Sequence, residues 1–176
     1  IVKMQHPDYE VWSTGIHAYR GVSCADCHMP YITEGGFKFT DHHIQSPLLA
    51  VNRSCQVCHR WDEDEIKSRV EGIQDKVREG RDRAEKALSL AHFDVAACMQ
   101  AGAKDDELAG ARDLIRQAQL RWDYVASHNG MGFHSGQECM RILAAAVELA
   151  QECRVESARI LARHGYTEPV VYPEYD

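Results

Sequence analysis

The sequence predicts a mainly α fold in which a loop-rich region, residues 1–60, precedes a helical region, residues 61–176, that carries three long helices. Three observations lead there. Glycine and proline punctuate the first region, notably at Pro30, Gly35, Gly36 and Pro47, and oppose any long regular element. Beyond residue 61, apolar side chains recur at spacings of three, four and seven among charged ones, the pattern of amphipathic helices. The first region also holds one five-residue unit twice, as Cys24-Ala25-Asp26-Cys27-His28 and Cys55-Gln56-Val57-Cys58-His59. Both regions read as parts of one domain of a longer protein.

Within each unit two thiols can form thioethers with the vinyl groups of a haem while the following histidine coordinates its iron. The spacing therefore reads as c-type haem attachment. A four-cysteine zinc site would use the same thiols but leaves the histidine after each pair without a reason. A disulfide framework fits poorly with seven cysteines in 176 residues. Twenty Lys and Arg against 27 Asp and Glu give a net charge of −7, so there is no basic field for nucleic acid. A contiguous apolar run of 18 or more residues is absent, so no membrane-spanning segment is expected. A charged n-region followed by an apolar stretch is also absent from the start at Ile1, which suggests a processed or partial chain. Export is inferred from the haems, whose covalent attachment normally takes place outside the cytoplasm.

Taken in order, Pro7 biases His6 toward extended backbone and stands at the start of a short helix from Asp8 to about Ile16, ending near Gly15. His6 and His17 read blandly as surface or loop residues, but each low-spin haem needs a second axial ligand and histidine is the usual supplier. Between the motifs, Phe37, Phe39 and Ile44 suit either a porphyrin face or a protein core. Asp41 precedes His42 and His43, one of which is a candidate distal ligand, with the carboxylate orienting a ring or facing water.

Asp62 to Met99 carries Ile66, Val70, Ile73, Val77, Ala84, Leu88, Ala91 and Val95 at helical spacing, with Asp62 and Glu65 placed for a capping box. At about 1.5 Å per residue such a helix extends roughly 57 Å and needs a larger body or another subunit to pack on. A second helix, about Asp105 to Ser127, ends at Asn129-Gly130-Met131-Gly132, and a third runs from about Gln137 to Arg163. The tail through Tyr172 and Tyr175 reads as irregular and suited to lying across a neighbour. His134 sits in the glycine-rich hinge as either a cap or a haem ligand. His92, His128 and His164 have no spacing that raises them above packing or surface residues. Cys98, Cys139 and Cys153 read as small buried residues, with one disulfide from Cys98 to Cys139 or Cys153 left open.

The ordered features Lys3-Met4-Gln5-His6-Pro7-Asp8-Tyr9-Glu10, Gly15-Ile16-His17, the first motif with Met29-Pro30, Thr40-Asp41-His42, the second motif, Trp122-Asp123, Ala126-Ser127-His128 and Phe133-His134 are together far more specific than the haem motifs alone. The chain resembles the C-terminal part of the catalytic subunit of pentahaem ammonia-forming cytochrome c nitrite reductase. That resemblance implies two haems c attached here out of five per complete subunit. Cys24, Cys27 and His28 would hold the fourth and Cys55, Cys58 and His59 the fifth. It makes His134 the distal ligand of the fourth haem, His17 that of the fifth and His42 that of a second haem attached upstream. Lys3 and Gln5 become calcium ligands, and His6 the active-site histidine.

The catalytic haem of that family is bound through CxxCK with a lysine ligand, and no CxxCK occurs here, so this chain alone lacks the reducing centre. The resemblance implies a periplasmic enzyme, compatible with peripheral placement on the outer face of the cytoplasmic membrane, that converts nitrite to ammonium. Its donor would be a membrane-associated multihaem quinol-oxidising cytochrome or a soluble cytochrome. It also implies a homodimer through the helical half, with Leu143 and Leu149 as candidates for the interface. A free-standing dihaem electron-transfer protein, in which His42 serves a local haem, and a multihaem reductase of another oxyanion are the competing functions.

Overall fold

A computed structural model describes residues 4–174. Helix α1 (Asp8–Ser13) begins after Pro7 and is shorter than its sequence pattern suggests. Gly15 adopts an extended conformation and starts a separate helix, α2 (Ile16–Tyr19). The backbone of His6 is not extended either: its φ is 47°, in the left-handed region, so the bias from Pro7 is overridden by the contacts described below.

Helix α3 (Cys24–His28) is the first haem motif itself. The Ser23 hydroxyl accepts the Asp26 N–H at 3.3 Å, and the Asp26 carboxylate accepts the Ser23 N–H at 2.7 Å. This reciprocal cap stabilises one turn, and on a helix residues three apart share a face, so Cys24 and Cys27 project together. Strands β1 (Tyr31–Glu34) and β2 (Phe37–Thr40) then form an antiparallel hairpin in register Tyr31↔Thr40 and Glu34↔Phe37. The loop expectation for this segment missed the hairpin. Gly35 and Gly36, at φ 56° and 84°, supply the two positive values that a tight two-residue hairpin turn needs.

The helical region is a three-helix bundle of α4 (Glu63–Gln100), α5 (Asp105–Ala126) and α6 (Gly136–Arg163). Asp62 makes no side-chain cap to α4, so the expected capping box does not form; the acidic first turn, Glu63, Asp64 and Glu65, still complements the helix dipole. Helix α6 packs along both α4 and α5. One part of the core gathers Leu88, Ala91, Val95, Leu108, Ala111 and Ile160, and another gathers Val77, Ala84, Val125, Leu143 and Ala146 with Val11 of α1. Val11 is thus the apolar peg that docks the haem-motif region on the bundle.

One sequence expectation changes here. Leu143 is 1 % exposed and packs within its own bundle, so a polar residue there would disrupt the fold rather than test an interface; Leu149 is half-buried against the first cluster. In the tail, Tyr175 lies outside the described residues, while Tyr172 docks on its own chain. Its hydroxyl donates to Asp94 Oδ1 at 2.7 Å, Arg154 Nε donates to Asp94 Oδ2 at 2.8 Å, and Arg154 Nη2 donates to the Tyr172 oxygen at 3.1 Å. Asp94 is buried, so removing its charge leaves the guanidinium without its counter-ion. Asp94→Asn is expected to lower stability by about 1–3 kcal/mol, and Tyr172→Phe by less, as shifts of the urea unfolding midpoint.

Candidate functional site

The histidines expected at the haems fall into two pairs. The rings of His17 and His59 have centroids 6.2 Å apart, and those of His28 and His134 are 6.3 Å apart. Two imidazoles sharing one metal through ring nitrogens place their centres roughly 6 Å apart, given about 2 Å per metal–nitrogen bond. Each pair joins the histidine of one CxxCH to a histidine outside the motifs. His28 Nδ1 lies 2.9 Å from the Gln45 carbonyl oxygen; since a carbonyl only accepts, this nitrogen carries the hydrogen and Nε2 is left as the donor atom for a metal. Burial, reinforced by His59, holds His17 below the ordinary imidazole pKa, which favours the neutral, ligating form.

The surroundings suit covalent haem. Cys24 and Cys58 are exposed, and Cys27 and Cys55 are half-buried. Burial pushes the Cys27 thiol up to about 11, with the nearby Cys55, Asp26, Cys58 and Cys24 adding to it. Phe37 and Ile44 are 78 % and 74 % exposed, and Phe39 is 40 % exposed. They are therefore not core residues of this chain and leave apolar surface exposed. Among the described residues, the one group of at least three potential metal-donor side chains within 4.8 Å of one another is Asp8, His128 and His134; the four motif thiols are not gathered in that way. Cys98, Cys139 and Cys153 are buried free thiols. Cys98 and Cys153 donate to the carbonyls of Ser157 and Ala111.

Of the two roles open to the Asp41 carboxylate, it takes the orienting one. The buried Asp41 carboxylate receives the backbone N–H and contacts the ring of His43, at 2.9 Å each. It orients His43, not His42. His42 Nδ1 instead lies 2.7 Å from the Thr40 carbonyl oxygen, so it too keeps Nε2 as a free donor atom, on an exposed side chain.

A second set of residues surrounds a cavity of about 430 Å³ that Gln5, His6, Trp122, Asp123, Ser127 and Asn129 help to line. The Asn129 amide nitrogen donates to His6 Nδ1 at 3.1 Å and to Asp8 Oδ2 at 3.4 Å. His6 Nδ1 therefore accepts, and a neutral His6 carries its hydrogen on Nε2. Gln5 is exposed and offers an amide oxygen, a donor type calcium takes; Lys3 lies outside the described residues.

Sequence reading missed Asp8, His128 and Asn129. His128 is 3 % exposed, with Nε2 2.9 Å from His134 Nδ1 and 3.1 Å from Asp8 Oδ1. Burial lowers the pKa of both histidines, while Asp8 acts in the opposite sense. The one available signal was the position of His128 between the end of a helix and a glycine-rich run.

Comparison with known proteins gives a consistent result. The family model described as Cytochrome c552 matches residues 1–176. Cytochrome c-552 of Bacteroides fragilis is 52 % identical over 175 residues, covering 99 % of this chain and 35 % of that protein. Cytochrome c-552 of Porphyromonas gingivalis is 50 % identical over 174 residues, with the same coverage. Among solved structures, the catalytic subunit (NrfA) of the cytochrome c nitrite reductase from Desulfovibrio desulfuricans, described for the relevance of its two calcium sites, superimposes with a TM-score of 0.80 at 29 % identity. That match covers 97 % of this chain and 37 % of the solved one. The chain thus spans about a third of the length of these relatives.

Proposed function

Because the chain belongs to the cytochrome c552 family, an oxidoreductase family that carries c-type haem, we propose that it is the C-terminal part of a periplasmic cytochrome c nitrite reductase. The observation that supports this most is the pairing of His17 with His59 and of His28 with His134 at ring separations of 6.2 and 6.3 Å. In this reading Cys24 and Cys27 hold one haem with His28 and His134 as ligands, and Cys55 and Cys58 hold another with His17 and His59. With two histidines on each iron, neither haem has an open position for substrate. His42 would serve a haem attached upstream. The competing carrier reading needs His42 at a local haem, whereas the rings found beside His28 and His59 are those of His134 and His17.

When bound, the two haems supply one-electron transfer toward an upstream catalytic haem at which nitrite is reduced. The overall conversion takes nitrite, six electrons and eight protons to ammonium and two waters. The contribution of this chain beyond the relay is one wall of the pocket. His6 presents Nε2 as the atom that holds and moves a proton, Asn129 keeps the other ring nitrogen occupied, and Gln5 with Lys3 would hold calcium and so locate the adjacent His6. No helix among the described residues is long and apolar enough to cross a membrane.

Intact-mass measurement of the protein tests the central assignment. This segment should carry two covalent haems, each adding roughly 600 Da through its thioether bonds; one or none would reject it. The same reading includes a homodimer through the helical half. The bundle buries most of its own apolar surface but leaves Met99, Met140 and Val155 at 53 %, 38 % and 52 % exposure. Sedimentation of the haem-loaded full-length protein across a concentration series should show a persistent dimer, and a monomer throughout would remove that part of the reading.

A further inference from the structure

We propose that Trp61 is a positioning residue for His59, setting the plane of that imidazole on its haem by stacking where no hydrogen bond does so. This rests on the reading of His17 and His59 as the two ligands of one haem. The Trp61 and His59 rings lie 5.2 Å apart between centroids, with their planes 12° apart, within the range of an offset stack. Two other expected ligands are oriented through a ring nitrogen: His28 Nδ1 donates to the Gln45 carbonyl and His42 Nδ1 to the Thr40 carbonyl. Among the described residues, no hydrogen bond reaches a ring nitrogen of His59 or His17. A ligand imidazole without that bond needs another contact to hold its ring orientation, and the indole face is what lies against His59.

The indole is itself held. Gln56, inside the second motif, donates from Nε2 to the Trp61 carbonyl oxygen at 2.9 Å. The next residue, Asp62, is the N-cap of α4, and its carbonyl accepts the Ile66 N–H at 3.0 Å. Trp61 is thus tied on one side to the motif and on the other to the bundle. It remains 48 % exposed, so burial in a core is not what places its ring. On the other side of the pair, Phe133 lies 6.0 Å from His17 with planes 36° apart, and the His17 and His59 planes stand at 85° to each other. With both rings on one iron, perpendicular planes leave the two iron d orbitals that overlap with the ring π electrons nearly equal in energy, whereas parallel planes split them. That splitting sets the largest g value of an oxidised low-spin haem.

Electron paramagnetic resonance of the oxidised, full-length, haem-loaded protein tests this. Trp61→Leu removes the stack and should lower and broaden the largest g value of one low-spin haem, because the His59 plane is released from the perpendicular. Trp61→Phe keeps a flat face there and should retain most of the wild-type value. Gln56→Met frees the Trp61 backbone and should move the same signal in the same direction by less. His17→Ala identifies the haem by converting its signal from low-spin to high-spin. An unchanged spectrum in Trp61→Leu, equal shifts in Trp61→Leu and Trp61→Phe, or a shift confined to a different haem would overturn the proposal. If Trp61→Leu does not load haem, Gln56→Met decides: a shift at the haem of His17 supports the stack and an unchanged signal overturns it. Failure of His17→Ala to create a high-spin haem would instead sink the ligand assignment on which the proposal stands.

Discussion

His6→Ala in the full-length, haem-loaded protein is expected to lower nitrite turnover by about a hundred- to ten-thousand-fold, the range for losing a positioned proton-transfer group, with both local haems still attached. His6 is an exposed residue at φ 47°, a region uncommon for non-glycine residues but one that histidine enters more readily than most. Asn129 donates to its Nδ1, which directs the hydrogen-bearing Nε2 away from that partner. Asn129→Ala should reduce turnover in the same direction but less, because it loosens the ring without deleting it. Steady-state rates at saturating donor measure both. An unchanged rate for His6→Ala would make this residue structural.

Gly15→Ala should be the most damaging small substitution in the haem-motif region. A Cβ at this position would collide with the backbone oxygen of His134 and lie 3.2 Å from that of Trp12. Backbone atoms cannot rotate aside as a side chain would, so the Phe133–Ser135 turn must move and carry His134 with it. The expected loss is at or above the top of the roughly 1–3 kcal/mol typical of overpacking. It should appear as a lower melting temperature together with a high-spin signal from the haem that His28 and His134 are proposed to share. Gly72→Ala is the control: nothing lies within 4 Å of the added Cβ, and replacing a helix-interior glycine by alanine should raise stability by about 0.5–1 kcal/mol. Equal melting temperatures for Gly15→Ala and wild type would refute the packing argument.

The two features that were legible in the sequence are local ones. Covalent haem attachment with an adjacent iron ligand uses two thiols and a histidine within five residues, so Cys24 to His28 and Cys55 to His59 stand out in any fold. The period of a helix is written into consecutive residues, so α4, α5 and α6 emerge close to their expected bounds. Capping was less legible, because it depends on one side-chain rotamer: Asp62 was placed to cap and does not, while Ser23 and Asp26 do.

Everything that depends on which distant side chains meet was decided by the tertiary structure. Asp8 and Asn129 are 121 positions apart and come together because Val11 docks α1 on the bundle while the chain returns through the α5–α6 hinge. The same return sets His134 beside His28 and buries His128 between Asp8 and the Gly132 N–H. Leu143 has a helical spacing that would serve an interface equally well, and only packing against α4 assigns it to the core; Tyr172 has no periodic neighbours, and Asp94, Arg154 and Phe93 together receive it. A sequence determines which donor atoms and apolar faces a chain possesses, since those are properties of single residues and their near neighbours. Their partners follow from burial, because a polar group removed from water must find whatever complementary group the packed helices bring to it.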